Sequence, residues 1–244
     1  MSVLIFIIAF AATLFGSASG SSSSIIAIPC WLGLGFPLPT AVACDKVSAT
    51  FWTALASRNY LSGKQIDFAL LAGLSVFGII GAILGAHVTS SLNSYVTKPI
   101  VGLLILAAIL LSWLKKGFGV SSSNPLLSKS VCSALGLPLG FYEGFFGSGN
   151  SIFTSLTLCK TRGFDLITAL GHYYFLAFIW CMCAATSYSL KGFFSWWLTV
   201  PAVLGSIAGG QIGSTLGKRM GVQTVKKLFT VVGIIFGLKL LAGI

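Results

Sequence analysis

The chain has 244 residues, of which 56% are hydrophobic and 8% are charged, and its mean hydropathy is +0.97. A soluble globular domain carries about 25% charged residues, so this composition largely excludes soluble enzymes, nucleic-acid binders and secreted disulfide scaffolds. The net charge of +11 is therefore assigned first to the cytoplasmic loops of a membrane protein, with a further share that could attract anions.

Apolar segments follow one another along the whole chain and lack the short alternation of a β-barrel, which predicts an all-α polytopic membrane protein. We predict these segments at about residues 2–15, 25–35, 39–57, 66–90, 96–114, 130–159, 166–190, 194–217 and 222–243. The first one resembles a signal peptide, but no Lys or Arg precedes its apolar run, so we interpret it as retained. Six Cys lie within or at the ends of these segments in a spacing that matches no zinc site, and we expect unpaired packing residues.

The polar stretch at residues 115–129 is predicted to be a linker loop between a first transmembrane repeat, 1–114, and a second one, 130–244. The two halves share five ordered matches at offsets of 127 to 131. The matched stretches begin at Gly20 and Gly147, at Gly35 and Arg162, at Leu61 and Ser189, at Gly78 and Gly205, and at Val101 and Val232. Ordered matches at Gly and polar positions are uncommon between unrelated apolar helices, so we predict an internal duplication.

Each half begins with an apolar run that small polar residues interrupt at its middle. Residues 2–35 would form a helix of about 50 Å at ~1.5 Å per residue, which is longer than a ~30 Å hydrocarbon core. This run is interrupted by GSASGSSSS at residues 16–24, and the corresponding run, 130–161, is interrupted by GSGNS at 147–151. Because Ser and Gly weaken a helix, we expect non-helical backbone at membrane depth there. Each run then either crosses as a broken helix or returns as a re-entrant hairpin.

The distribution of Lys and Arg over the loops favours the hairpins. If both interrupted runs cross the membrane, seven basic residues lie on each side of it. If both runs are re-entrant, eleven basic residues lie on one side. Only Lys98, Lys191 and Lys239 are then left on the other side, with both termini, and the positive-inside rule makes that side non-cytoplasmic. The second half would start on the opposite face, which gives two inverted repeats, each with a broken or re-entrant helix plus three transmembrane helices. Secondary transporters use this architecture.

The two interruptions form the predicted anion site. Half-helices that begin near Ile25 and Ile152 would aim their N-terminal N–H groups at the centre, where the helix dipole favours an anion. The predicted substrate-binding residues at these interruptions are Ser21, Ser22, Ser23, Ser24, Ser148, Gly149, Asn150 and Ser151. The alternative is that these small residues only let helices pack closely.

Asp45, Lys46 and Glu143 are charged residues well inside predicted apolar segments, where a charge costs at least ~2.5 kcal/mol and usually has a task. Lys46 would bind the substrate by supplying a positive charge. Asp45 would hold Lys46 or carry a coupled proton, although the pair could instead be a solvated helix end. Glu143, the only Glu of the chain, is the second predicted proton-coupling residue, and a hydrogen-bonding brace for the loop is its alternative role.

The sequence HYYF adds three more predicted substrate-binding residues. His172 aligns with Asp45 at the 127 offset and would donate to an oxyanion when charged, or it would be a neutral core residue. Tyr173 and Tyr174 could donate their hydroxyls, although aromatic packing is the commoner use.

Three stretches are similar to those of a known family. GFYEGFFGSGNSIF resembles the signature G-F-x-D-G-F-F-G-x-G-x-G-x-F, with Glu143 at the acidic position. GSSSSIIAIP looks like a Gly-rich stretch before I-P, and AVACDKVSATF looks like A-x-A-T-N-K-x-x-x-x-F, with Lys46 retained. HYYF departs from T-T-K-V, with Tyr174 where Lys is usual. The chain as a whole resembles the TauE/SafE family of sulfite and organosulfur anion transporters, especially its YfcA-like branch.

The resemblance implies a secondary transporter that exports small sulfur-containing oxyanions, such as sulfite, thiosulfate or sulfonates, across the bacterial inner membrane. Whether the export is coupled to protons is left open. The changed charges at Asp45 and Tyr174 leave the particular substrate open. We expect a small anionic substrate and the lipid bilayer as partners, with no nucleic acid, metal or cofactor, and a homo-oligomer is left open. A passive anion channel and a membrane-embedded enzyme, with Ser or Cys as nucleophile and His172 as base, are the alternatives. No G-x-x-x-x-G-K-[ST] motif is present, so ATP would have to act through another subunit.

Overall fold

The structure is a computed structural model that describes residues 1–89, 119–120 and 122–241, together with positions 103, 106 and 110. Within this described part of the chain the regular secondary structure is entirely helical. The helices are α1 (Ser2–Ser19), α2 (Ser24–Gly33), α3 (Leu38–Leu61), α4 (Phe68–Thr89), α5 (Lys129–Ala134), α6 (Gly136–Phe145), α7 (Asn150–Arg162), α8 (Leu166–Leu190) and α9 (Trp196–Leu241). Of these, α1, α4 over Phe68–Val88 and α8 are long and apolar enough to span a membrane, which confirms the predicted all-α membrane class.

Most of the predicted apolar segments correspond to these helices. The segments expected at 194–217 and 222–243 are the two parts of α9, which is interrupted at Gly221, where φ is 78°. The segment expected at 96–114, with the matched stretch from Val101, lies outside the described residues apart from three isolated positions. All six cysteines are free, as expected.

The first interruption is shorter than predicted, because α1 continues to Ser19. The Ser17 hydroxyl donates to the Thr13 carbonyl at 2.6 Å, so a serine is satisfied inside the last turns of the helix. Non-helical backbone is confined to residues 20–23 and begins at Gly20, whose left-handed conformation, with φ of 73°, ends the helix.

Helices α1 and α2 form a hairpin. A Cβ on Gly16 would lie 2.9 Å from the Ser23 backbone nitrogen, so a glycine is required where the chain folds back. Ile5 near the start of α1 and Trp31 near the end of α2 belong to one buried cluster, together with Ala41 at the start of α3. This segment therefore begins and ends at the same end of the helix bundle.

Helices α5 and α6 form the first arm of a second hairpin, and α7 is its returning arm. The turn lies between α6 and α7, with positive φ at Gly147 and Gly149. The Leu126 N–H donates to the Thr161 carbonyl at 2.9 Å, so the two ends of this segment also meet. They meet beside the end of α3, whereas the ends of the first hairpin meet beside its start. The two hairpins thus enter the bundle from opposite ends.

The first arm of each hairpin packs in parallel against a long helix from the other half of the sequence. In the first hairpin α1 packs against α9, and in the second α6 packs against α4. The glycines whose Cβ atoms would overlap carbonyl oxygens of the partner helix are Gly205, Gly209, Gly213 and Gly217 against α1, and Gly81, Gly85, Gly136, Gly140 and Gly144 between α4 and α6. Close approach through small residues therefore holds these pairs together. Helices α3 and α8 cross antiparallel between them, with the Ser57 hydroxyl 3.1 Å from the Gly171 carbonyl.

Candidate substrate site

Asp45 and Lys46 lie two turns inside α3, at the level of the two hairpin turns. They are 3% and 0% exposed, so they are not a solvated helix end. Because neighbouring residues of a helix point about 100° apart, the two side chains reach different partners. Asp45 reaches the turn of the first hairpin, and Lys46 reaches the turn of the second.

Lys46 forms a buried ion pair with Glu143 of α6, at 2.7 Å between Nζ and Oε1. Three further donors converge on the same carboxylate. They are Asn150 Nδ2 at 2.8 Å from Oε2, the Tyr173 hydroxyl at 3.2 Å from Oε2, and Cys181 Sγ at 3.4 Å from Oε1. We call Lys46, Asn150, Tyr173 and Cys181 the donor cage. It is assembled by α3, α7 and α8 around a side chain of α6.

A glycine makes room for the ion pair. Gly147 follows α6 with φ of 73°, and a Cβ there would overlap Lys46 Nζ and lie 2.7 Å from Glu143 Oε1. The lysine head group therefore occupies the space beside the bare backbone of the second turn. This places the cation next to the N-terminus of α7, where the helix dipole favours an anion.

The turn of the first hairpin carries a chain of hydroxyl groups. The Ser22 hydroxyl donates to Ser24 Oγ at 2.9 Å, and the Ser24 hydroxyl donates to Asp45 Oδ2 at 2.7 Å. The Tyr174 hydroxyl donates to the Ser21 carbonyl at 3.4 Å. Ser23 is the buried N-cap of α2. All four predicted serines of this turn are therefore buried at the interface with α3 and α8.

The second turn carries the other predicted residues. The Ser148 carbonyl accepts a hydrogen bond from the Tyr142 hydroxyl at 2.6 Å, and Gly149 precedes α7 with φ of 81°. Among the described residues, the buried hydroxyl of Ser151, one residue beyond Asn150, has no hydrogen-bond partner, and neither has that of Ser155 one turn later. Since buried hydroxyls are normally paired, these two are open to a ligand.

The structure does not bring His172, which was predicted to bind the substrate, to the donor cage. Its Nε2 accepts the Asp67 backbone N–H at 3.3 Å, so its proton is on Nδ1, which faces the Thr168 carbonyl at 2.8 Å. Its ring packs on Phe164, with ring centroids 4.7 Å apart. These contacts are those of a neutral histidine beside the loop between α3 and α4.

That loop belongs to an ionic cluster at the base of the second hairpin. Asp67 Oδ1 lies 2.9 Å from Lys129 Nζ, and Asp67 Oδ2 lies 3.8 Å from Arg162. Asp165 Oδ2 lies 3.2 Å from Lys64. Burial alone would raise the pKa of Asp67, but its hydrogen bonds to Lys129 and to the backbone outweigh burial and lower it. Burial would also raise the pKa of Asp165, and hydrogen bonds from Thr168 lower it instead.

Sequence reasoning did not single out Cys181 or Ser155. Cys181 was expected to be a packing residue, and it does lie in the core, but its thiol also points at Glu143. Ser155 follows Ser151 by four residues, which places both on one face of α7, and this spacing was the available signal.

A buried ion pair at the meeting point of helices, inside an all-helical membrane protein, is typical of a solute pathway, because charges at membrane depth are costly. The fold and the site thus define a membrane transporter. The profile of the family described as Sulfite exporter TauE/SafE matches residues 5–240, so the chain belongs to this family, and the resemblance found in the sequence is confirmed.

Three relatives are similar over most of the chain. "Probable membrane transporter protein ORF9" of Sinorhizobium sp is 28% identical, covering 98% of this chain and 91% of the relative. "Probable membrane transporter protein" of Haemophilus influenzae is 24% identical, covering 97% and 93%. "Probable membrane transporter protein YfcA" of Escherichia coli K12 is 22% identical, covering 98% and 88%. No solved structure matches the chain significantly.

Proposed function

We propose that this protein is a proton-coupled secondary transporter that exports small sulfur-containing oxyanions, such as sulfite, thiosulfate or sulfonates, across the bacterial inner membrane. The observation that carries the proposal is the donor cage. It combines a lysine ammonium with amide, phenol and thiol donors around two carboxylate oxygens, deep between the hairpin turns. Charge-assisted donors of this kind suit an oxyanion. The family description, Sulfite exporter, supports the choice of sulfur chemistry.

The two halves of the protein are, in this proposal, inverted repeats with re-entrant hairpins. The contacts of α3 and α8 support this arrangement, since they cross between the halves. Lys46 of the first half reaches Gly147 in the second turn, and Tyr174 of the second half reaches Ser21 in the first turn. A two-fold axis between α3 and α8 would exchange these two contacts. Inverted repeats allow alternating access by rocking one half against the other around such a site.

The orientation proposed from the loop charges places the base of the second hairpin in the cytoplasm. The ionic cluster at this base, with Lys64, Lys129 and Arg162, agrees with the positive-inside rule. Both termini and Lys191 would lie on the outer side. Lys98 lies outside the described residues, so its position is a prediction from the sequence.

Flux measurements in proteoliposomes test the proposed function. Radiolabelled sulfite or thiosulfate loaded into vesicles should leave faster with the protein than without it, and a pH gradient should change the rate. Lys46→Met should abolish the flux, because it removes the cation of the cage. Lys160→Met is the matched control, since Lys160 is an exposed lysine at the end of α7. Equal flux from protein-free vesicles would refute the proposal.

A further inference from the structure

We infer that Glu143 is an internal anion, which fills the substrate's donor cage in the empty protein and leaves it, on taking up a proton, when a sulfur oxyanion binds. The inference rests on the proposed function, because it concerns the same site and the same class of substrate. It gives Glu143 a role beyond that of a structural brace.

The geometry of the cage supports this role. Each carboxylate oxygen of Glu143 has two donors, Lys46 and Cys181 on Oε1, and Asn150 and Tyr173 on Oε2. A sulfite or sulfonate group presents oxygens of the same charge and acceptor character, and it would require the same donors. Because Glu143 already accepts a hydrogen bond from each of these four donors, the substrate and the carboxylate compete for them.

The charges of the site give the same conclusion. Lys46 from α3 contacts Glu143, and the adjacent Asp45, which is bonded to Ser24, interacts with it at longer range. Tyr173 and Cys181 from α8 also face Glu143, and Tyr142 is its neighbour on α6. Beside α6, α4 places Gly78, Gly81, Ala82 and Gly85, and α7 contributes the neutral Asn150. Lys46 is therefore the one cation among these groups, and the Glu143 carboxylate already balances its charge. An added oxyanion would bring an uncompensated negative charge into a buried site, unless Glu143 is neutralised.

The proton balance of the step is simple. The Glu143 carboxylate takes one proton from water and becomes a neutral carboxylic acid, and the oxyanion replaces it on Lys46. A monoanion and a proton enter together, so the charge of the site is unchanged. When the anion leaves on the other side, Glu143 loses its proton and pairs with Lys46 again. No covalent bond other than the O–H bond forms or breaks. Each anion is carried together with one proton in the same direction, so the outward concentration gradient of the anion drives export.

The test measures anion binding by the purified full-length protein against pH, with methanesulfonate and thiosulfate as probes. Both probes stay fully ionised near neutral pH, so any pH dependence of binding must come from ionisable groups of the protein. In the wild type, the Kd for the anion should rise about tenfold for each unit of pH, over the pH range in which Glu143 is ionised in the empty site. Glu143→Gln should bind more tightly at neutral pH and lose this dependence, since the amide carries no charge. Asp45→Asn, the matched carboxylate control, should keep the dependence. A Glu143→Gln protein that keeps the wild-type slope would overturn the inference.

A second measurement needs no substitution at Glu143. In weakly buffered solution, binding of methanesulfonate to the wild type should take up about one proton per anion, and Asp45→Asn should do the same. Anion binding without proton uptake would overturn the inference and leave the proposed function intact. If neither probe binds to or is transported by the wild-type protein, the proposed function itself is wrong.

Discussion

Gly147 is the position where a single methyl group should separate Lys46 from Glu143. In Gly147→Ala the new Cβ overlaps Lys46 Nζ and lies 2.7 Å from Glu143 Oε1, so the ion pair must open. The left-handed backbone, with φ of 73°, adds strain of roughly 1–2 kcal/mol for any residue with a side chain. Breaking a buried ion pair costs about 3–5 kcal/mol. The free energy of unfolding should therefore fall by about 4–7 kcal/mol.

Gly35→Ala is the matched control for the backbone strain. Gly35 has φ of 87°, and a Cβ there would meet nothing within 4 Å. Its substitution should cost only the backbone term of roughly 1–2 kcal/mol. Steric trapping in bicelles measures both free energies of unfolding, and vesicle flux measures function. The reasoning is refuted if Gly147→Ala is no less stable than Gly35→Ala and transports at the wild-type rate.

Three further outcomes are expected. Lys46→Met should weaken oxyanion binding by ten-fold or more in calorimetry, since a charge-assisted hydrogen bond contributes ~1.5–3 kcal/mol, whereas Lys160→Met should bind normally. The pKa of Asp165 is lowered, so its contribution to stability is present above the usual carboxyl pKa of about 3.9 and is lost as the pH falls through the lowered value. Asp165→Asn should remove this acid-dependent loss from a plot of melting temperature against pH. In a cysteine-free background, Lys191→Cys should react with an impermeant maleimide in whole cells and Asn124→Cys should not, and the reverse pattern would contradict the proposed orientation.

The positions of the breaks were largely predictable from the sequence, but their lengths were not. Runs of Ser and Gly in an apolar segment indicate a helix end at membrane depth. The sequence alone does not show that Ser17 is satisfied by the Thr13 carbonyl and stays helical, because the same hydroxyl could cap a turn. The left-handed Gly20, rather than the first small residue of the run, decides where α1 ends.

Which side chains contact one another in the candidate site depends on how each helix is rotated about its own axis. The sequence gives this rotation only approximately. The adjacent Asp45 and Lys46 look like a pair along the chain, but in α3 they diverge to Ser24 and Glu143. The 127 offset aligned His172 with Asp45. In the structure the next residue, Tyr173, contacts Glu143, and since neighbouring residues of a helix point about 100° apart, His172 is turned away from the cage.

Counterflow is the most direct test of the claim that the site between the hairpins carries sulfur oxyanions. Vesicles are loaded with unlabelled sulfite, and a trace of labelled sulfite is added outside. A carrier exchanges one for the other, so label should accumulate transiently above its equilibrium level with the wild-type protein and with Lys160→Met, but not with Lys46→Met. Label that only rises smoothly to equilibrium with the wild type, or an equal overshoot with Lys46→Met, would contradict the account.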